Sequence, residues 1–142
     1  MTTKVLLVDD ELDFLEVMRE RLANRGMQVS TSTSAVEALA QLEVEHFDAV
    51  ILDLKMPGMD GLEALNRIKE KRPEIQVILL TGHATVEKGV AAIKAGALDF
   101  VEKPADMESL AEKIKSAKEK KMLIVEKAGQ DRIMDILKHH GY

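Results

Sequence analysis

Short apolar stretches of this chain run into residues that can do chemistry. Asp9 and Asp10 follow "KVLLV", Asp53 closes "AVILD", Thr81 follows "IQVILL", and Lys103 stands before Pro104 just after "ALDFV". Neighbouring carboxylates disfavour one another's ionisation, so an acidic cluster at neutral pH calls for protons, a cationic side chain or a metal. All-oxygen donors that leave positions for water suit Mg²⁺ or Mn²⁺, cations that also accept phosphate oxygens. A hydroxyl and a compact ammonium on the same rim would bind the oxygens of a phosphoryl group. If folding unites these residues, they suit metal-assisted handling of phosphate.

Uniting them is a task for the elements around them. Runs rich in β-branched residues at 4–8, 27–31, 49–53, 75–80 and 97–101 predict strands, and the stretches between them have helical spacing. The first helix has Leu12, Leu15, Val17, Met18, Leu22 and Ala23 as its expected apolar face and Gly26 as a left-handed cap. Ser34 with Glu37, and Asp60 with Glu63, are capping-box starts for the second and third helices, and Pro73 ends the third. A fourth is expected from about Ala84 to Ala95, stopping at Gly96, and a fifth from near Asp106.

Parallel connections need crossovers, usually helices, so this alternation predicts an α/β fold with a doubly wound five-stranded parallel sheet. The first, third and fourth runs are almost wholly apolar, as strands buried on both faces are. "MQVSTS" is more polar and belongs at an edge, which gives the order 2-1-3-4-5. In such sheets ligands bind beyond the carboxyl ends of the strands at the switch point, here between strands 1 and 3. Asp9, Asp10 and Asp53 would meet there.

The set Asp9-Asp10, Asp53 with "KMPGMDG" after it, "LLTG" at 79–82 and "ALDFVEKP" at 97–104 occurs in that order. With it, residues 4 to about 118 resemble the receiver domain of two-component response regulators. "TGHATVEKGVAAIKAGALDFVEKP" is most similar to receivers of the NtrC type. The resemblance implies a flavodoxin-like, CheY-like fold and a phosphorylation-dependent signalling switch. It makes Asp53 the acceptor of a phosphoryl group from a phosphohistidine on a sensor histidine kinase or phosphotransfer protein. It implies Mg²⁺ (or Mn²⁺) held by Asp9, Asp10, Asp53 and the backbone carbonyl of Lys55, with Lys103 pairing with the phosphoryl group. Thr81 would swing its hydroxyl onto that group, and Phe100 would turn inward as Thr81 moves. Weak self-dephosphorylation is implied as well, so the chain would be a switch and not an enzyme with a separate substrate. Lys55 and His83, two residues after Asp53 and Thr81, hold positions that tune the access of water.

At 142 residues the chain is expected to form one receiver domain over 1–118 and a C-terminal helical extension over 119–142. A formal charge of −5 argues against covering phosphate backbones, so no direct nucleic-acid contact is expected. No cysteine is present, which excludes disulfides and thiolate metal sites. "MTTKVLLVDDE" lacks the pattern of a signal peptide, and no apolar run approaches the roughly 20 residues that span a bilayer. A cytoplasmic chain without membrane contact is the expectation.

Met107, Leu110, Ile114, Ala117, Ile124 and Ala128 predict a final helix up to Gly129, interrupted by Lys121, with "QDRIMDILKHHGY" as a second short amphipathic piece. Such a stripe needs another surface. A homodimer through this helix or the face of the fourth and fifth helices would supply one, as would a linker role toward an output domain. His46 and His83 are expected in exposed loops, and His139-His140 lack a third metal ligand. The enzyme alternative is a phosphohydrolase with an aspartyl nucleophile on a similar core. Haloacid-dehalogenase-type enzymes carry a second Asp two residues after the nucleophile, and Lys55 stands there instead. A degenerate receiver that takes no phosphate is opposed by the presence of every key residue.

Overall fold

The β-branched runs become the strands β1 Lys4–Val8, β2 Gln28–Ser32, β3 Ala49–Asp53, β4 Gln76–Thr81 and β5 Asp99–Glu102. The computed structural model, which describes residues 2–82, 85–104 and 106–139, joins them in one parallel sheet of order β2-β1-β3-β4-β5. Val8 is level with both Ser32 and Leu52, and Asp53 with Leu80, so neighbouring strand tips end together. β3 and β4 are buried throughout and β1 almost so, while the edge strand β2 is largely half exposed. This is the doubly wound α/β fold that the sequence predicts.

Between the strands run α1 Leu12–Ala23, α2 Ala35–Val44, α3 Gly61–Lys71 and α4 Val86–Lys94, and α5 Met107–His139 follows β5. Alternation along the strands divides the core in two. Leu6, Val8, Val50, Leu52, Val77 and Leu79 pack under α2, α3 and α4. Val5, Leu7, Ile51, Ile78 and Leu80 pack against α1 and against Leu110, Ile114 and Ala117 of α5. Each fully buried Leu or Ile contributes about 1.5–3 kcal/mol, so the two layers hold the sheet rigid beneath its tips.

Caps fix where the helices begin. Ser34, Asp60 and Thr85 accept the backbone N–H of Glu37, Glu63 and Lys88 at the starts of α2, α3 and α4. Asp106 accepts that of Ser109 in α5. Glu37 reaches back to Thr33 instead of to Ser34, so the second half of the expected capping box is shifted by one residue. β5 starts at Asp99, later than expected, because the N–H groups of Gly96 and Ala97 finish α4 by donating to Ile93 O and Ala92 O. The expected start of α4 at Ala84 lies outside the described residues.

Two expectations are corrected. Leu12 and Val17, assigned to the apolar face of α1, are 68% and 48% exposed, and Ala23 at its end is exposed too; the helix buries Leu15, Met18 and Leu22. Leu12 stands at the first turn, above the sheet, and Val17 lies about 200° around the helix from Leu15. The tail is also one continuous helix through Gly129, not two pieces. A single interior glycine costs only about 1 kcal/mol relative to alanine, and helix-favouring residues flank it. Lys121 does not interrupt the helix but fastens it: Nζ donates to Phe47 O at 2.8 Å and lies 3.8 Å from Asp48 Oδ1. Among the described residues no helix is long and apolar enough to cross a membrane.

Candidate functional site

Backbone hydrogen bonds extend the ladder past the strand tips and set the site residues in place. Asp9 N–H donates to Ser32 O at 3.1 Å, Leu54 N–H to Leu80 O at 2.8 Å, and Lys103 N–H to Thr81 O at 2.7 Å. The Asp9, Asp10 and Asp53 carboxylates come within 4.8 Å of one another; Asp9 and Asp53 are buried and Asp10 is exposed. Lys103 Nζ sits among acids, 2.6 Å from Asp9 Oδ2, 3.5 Å from Glu11 Oε1 and 4.0 Å from Asp53 Oδ2. Backbone N–H groups support the carboxylates as well: Glu11 donates to Asp9 Oδ1 at 2.9 Å and Lys55 to Asp53 Oδ1 at 3.3 Å.

Burial pushes the Asp53 carboxyl up to about 6; the charge of Asp9 adds to this, while Lys103 and the Lys55 N–H oppose it. Lys103 is held above the ordinary lysine range. Burial works to lower it, but the hydrogen bond and charge of Asp9, with Asp53 and Glu11, outweigh burial. The donors are all oxygen, they converge from two strand tips, and one of them faces solvent. That set fits a hard divalent cation that keeps some of its waters.

The turn after Asp53 is pinned by close backbone contact. Gly61 N–H donates to Leu54 O at 2.9 Å. A Cβ on Gly61 would lie 2.6 Å from Leu54 Cα and 2.8 Å from Asp53 O, so only glycine brings the start of α3 this near the backbone at Asp53.

Of the predicted site residues, Asp9, Asp10, Asp53 and Lys103 form one cluster. Thr81 is buried at the tip of β4, beside the strand that ends in Asp53. Lys55 contributes its N–H to the cluster. Phe100 stands apart on β5, half-buried against the core, where a Cβ on Gly89 of α4 would lie 3.5 Å from its ring. His46 is exposed as expected but lies 2.9 Å, through Nδ1, from Arg72 Nη2. Among the described residues His139 pairs with Asp135 of its own helix, at 3.6 Å. His83 and His140 lie outside the described residues.

Sequence reasoning missed Glu11 and Phe14 as site residues. Glu11 approaches Lys103, and the Phe14 ring centroid lies 4.2 Å from Lys103 Nζ. Their spacing of three puts both side chains on one side of the helix start, but nothing local in the sequence marks Lys103 as what they meet.

Comparison with known proteins bears on the family and the fold. Residues 5–115 match the family model described as the response regulator receiver domain. The C4-dicarboxylate transport transcriptional regulatory protein DctD of Rhizobium meliloti is 40% identical over 122 residues, covering 86% of this chain and 26% of DctD. The chain spans about a quarter of the length of the curated relatives it matches. A response regulator receiver domain protein from Clostridium thermocellum has a similar structure, with a TM-score of 0.81, 35% identity and coverage of 86% of this chain and 98% of that one. The beryllofluoride-activated NtrC4 receiver domain dimer has a TM-score of 0.79 at 36% identity, covering 83% of this chain and 98% of that one.

Proposed function

This chain belongs to the response regulator receiver domain family, and from that premise we propose that it is a phosphorylation-dependent switch whose acceptor is Asp53. The donor is a phosphohistidine on a sensor histidine kinase or phosphotransfer protein. An Asp53 carboxylate oxygen bonds to phosphorus as the bond from phosphorus to the donor imidazole breaks, and the electron pair leaves on the imidazole nitrogen. The observation that carries this reading is the convergence of Asp9, Asp10 and Asp53 within 4.8 Å, with Lys103 beside two of them.

Asp9, Asp10, Asp53 and the Lys55 carbonyl would hold Mg²⁺ or Mn²⁺. Bound there, the cation would neutralise the charge on the transferring oxygens. Lys103 pairs with the phosphoryl group, so the protein contributes mainly position and charge balance. Water entering the same site bonds to phosphorus as the bond from phosphorus to Asp53 breaks, releasing inorganic phosphate and the free carboxylate, which gives a slow self-dephosphorylation.

The signal passes from Thr81 to Phe100. Thr81 moves its hydroxyl toward the phosphoryl group, and the Phe100 ring fills the space beside α4. The light packing of α4 supports this: it buries Ala92, while Val86, Val90 and Ile93 are 84%, 48% and 51% exposed. Loosely packed elements shift at low cost. Residues 1–118 serve as the receiver unit and 119–142 as its C-terminal extension, helical as far as His139. Self-association through the α4-β5-α5 face or the extension is the output, in keeping with the dimer named for NtrC4.

Incubating the chain with a small phosphoryl donor tests this. Labelling that requires Mg²⁺ and is lost in Asp53→Asn is expected. Equal labelling of the two proteins would remove the reading.

A further inference from the structure

The geometry points to Phe14 as a positioning residue for this reaction, its ring holding the Lys103 ammonium on the rim between Asp9 and Asp53. The inference rests on the receiver reading of the site. A lysine side chain is a flexible stem carrying a point charge, and holding it in one place costs rotamer entropy. Here the ammonium is met by oxygens of Asp9, Glu11 and Asp53 and, in addition, by an aromatic face at 4.2 Å.

An aromatic face attracts a cation without carrying a formal charge. That property matters at a site that must receive an anionic group. A further carboxylate would repel the incoming phosphoryl oxygens, and an aliphatic side chain would leave the ammonium to the acids alone. The Asp9 oxygen that Lys103 now grips at 2.6 Å belongs to the carboxylate cluster suited to a cation. When that oxygen is drawn away, the ring still holds Lys103 near Asp53.

The ring is itself held. Phe14 packs half-buried against the core layer between the sheet and α1 and α5, next to the buried Leu15 and one turn before the buried Met18. An ordinary core aromatic would satisfy that packing equally well. The test must therefore separate shape from the attraction of the ring for a cation.

The experiment uses the full chain as wild type, Phe14→Leu, Phe14→Tyr, Lys103→Ala and the Phe14→Leu/Lys103→Ala double variant. Labelling rates are followed against acetyl phosphate concentration at saturating Mg²⁺, alongside thermal midpoints. Phe14→Leu is expected to need about three- to tenfold more donor for half-maximal rate, with its thermal midpoint near that of wild type. Phe14→Tyr is expected to restore wild-type behaviour, and Phe14→Leu to add nothing in the Lys103→Ala background. Wild-type labelling by Phe14→Leu, equal loss in the Leu and Tyr variants, or an undiminished effect without Lys103 would each overturn the assignment. Should Phe14→Leu fail to fold, Phe14→Met is read in its place by the same outcomes. Failure of wild type to label, or equal labelling of Asp53→Asn, would instead sink the receiver reading, and the role of Phe14 with it.

Discussion

Asp53 is the residue at which the fold and the chemistry pull in opposite directions. Its carboxyl titrates at about 6 in the folded chain against a usual value of 3.8, first because it is buried and next because Asp9 is close. The folded state therefore favours the protonated form. The stability this contributes is complete below pH 3.8 and is lost as pH rises through about 6. At pH 7.5 without metal, the ionised carboxylate costs on the order of 2–3 kcal/mol, with the favourable pairing with Lys103 already included. Asp53→Asn should accordingly raise the thermal midpoint of the metal-free protein at pH 7.5 by a few degrees, and by less at pH 4.5. Calorimetry in chelator at both pH values checks this; a lower midpoint for the variant at pH 7.5 would contradict it. Mg²⁺ should stabilise wild type and have little effect on Asp53→Asn. Lys103 adds a second consequence at this scale, because its ammonium occupies Asp9 Oδ2 at 2.6 Å. Lys103→Ala should bind Mg²⁺ several-fold more tightly while labelling more slowly. A metal titration that showed weaker binding would mean that Lys103 does not compete with the cation.

At the scale of elements, strand tips and helix starts deliver the cluster, and Gly61 joins one to the other. Because a Cβ there would lie 2.6 Å from Leu54 Cα, Gly61→Ala must push α3 away from the turn after Asp53. The expected loss is about 1–3 kcal/mol, with a fall in labelling rate larger than that in a control such as Gly129→Ala, where a Cβ meets nothing within 4 Å among the described residues. Chemical denaturation and donor labelling check the two halves of this prediction. The strands that carry the site were legible in the sequence for a physical reason. β1, β3 and β4 are buried on both faces, so their apolar runs are uninterrupted and an aspartate at the end of a run stands out. α1 was less legible because its buried face is narrow, and Leu12 and Val17 imitate core positions. The roles of Lys121 and Phe14 were not legible. One depends on a carbonyl 74 residues away and the other on a lysine beyond β5, contacts that no local periodicity encodes.

For the molecule as a whole, the question is what α5 does once the domain no longer covers it. The stripe that packs on the sheet ends with Ala117, and Lys121 fastens the helix to the base. A different stripe follows. Met122, Val125, Ile133 and Ile136 are 54%, 52%, 58% and 51% exposed, and at about 100° per residue they share one side of the helix with Gly129. Met122 and Ile133 stand eleven residues apart, as do Val125 and Ile136, and an 11-residue repeat keeps a stripe nearly in line with the helix axis. Glu126 lies along one border of this side and Arg132 along the other, where Lys121 is already taken up by Phe47 O and Asp48. In a parallel two-fold pair the acidic border of one helix faces the basic border of its partner, whereas an antiparallel pair sets like borders together. The pattern therefore favours a parallel pair of identical chains. The segment from Met122 to His139 is only about 27 Å long, and the area it can bury is below that of a stable interface. Association should accordingly be reversible, with a dissociation constant on the order of micromolar, and phosphorylation of Asp53 should strengthen it by adding the α4-β5-α5 face. Sedimentation of the full chain should show Ile133→Asp weakening association at least about tenfold, and Glu126→Lys weakening it less, while both variants label at Asp53 as wild type does. Unchanged association in Ile133→Asp would leave this stripe to a partner other than a second copy, and would make the receiver's own face the whole of the switch's output.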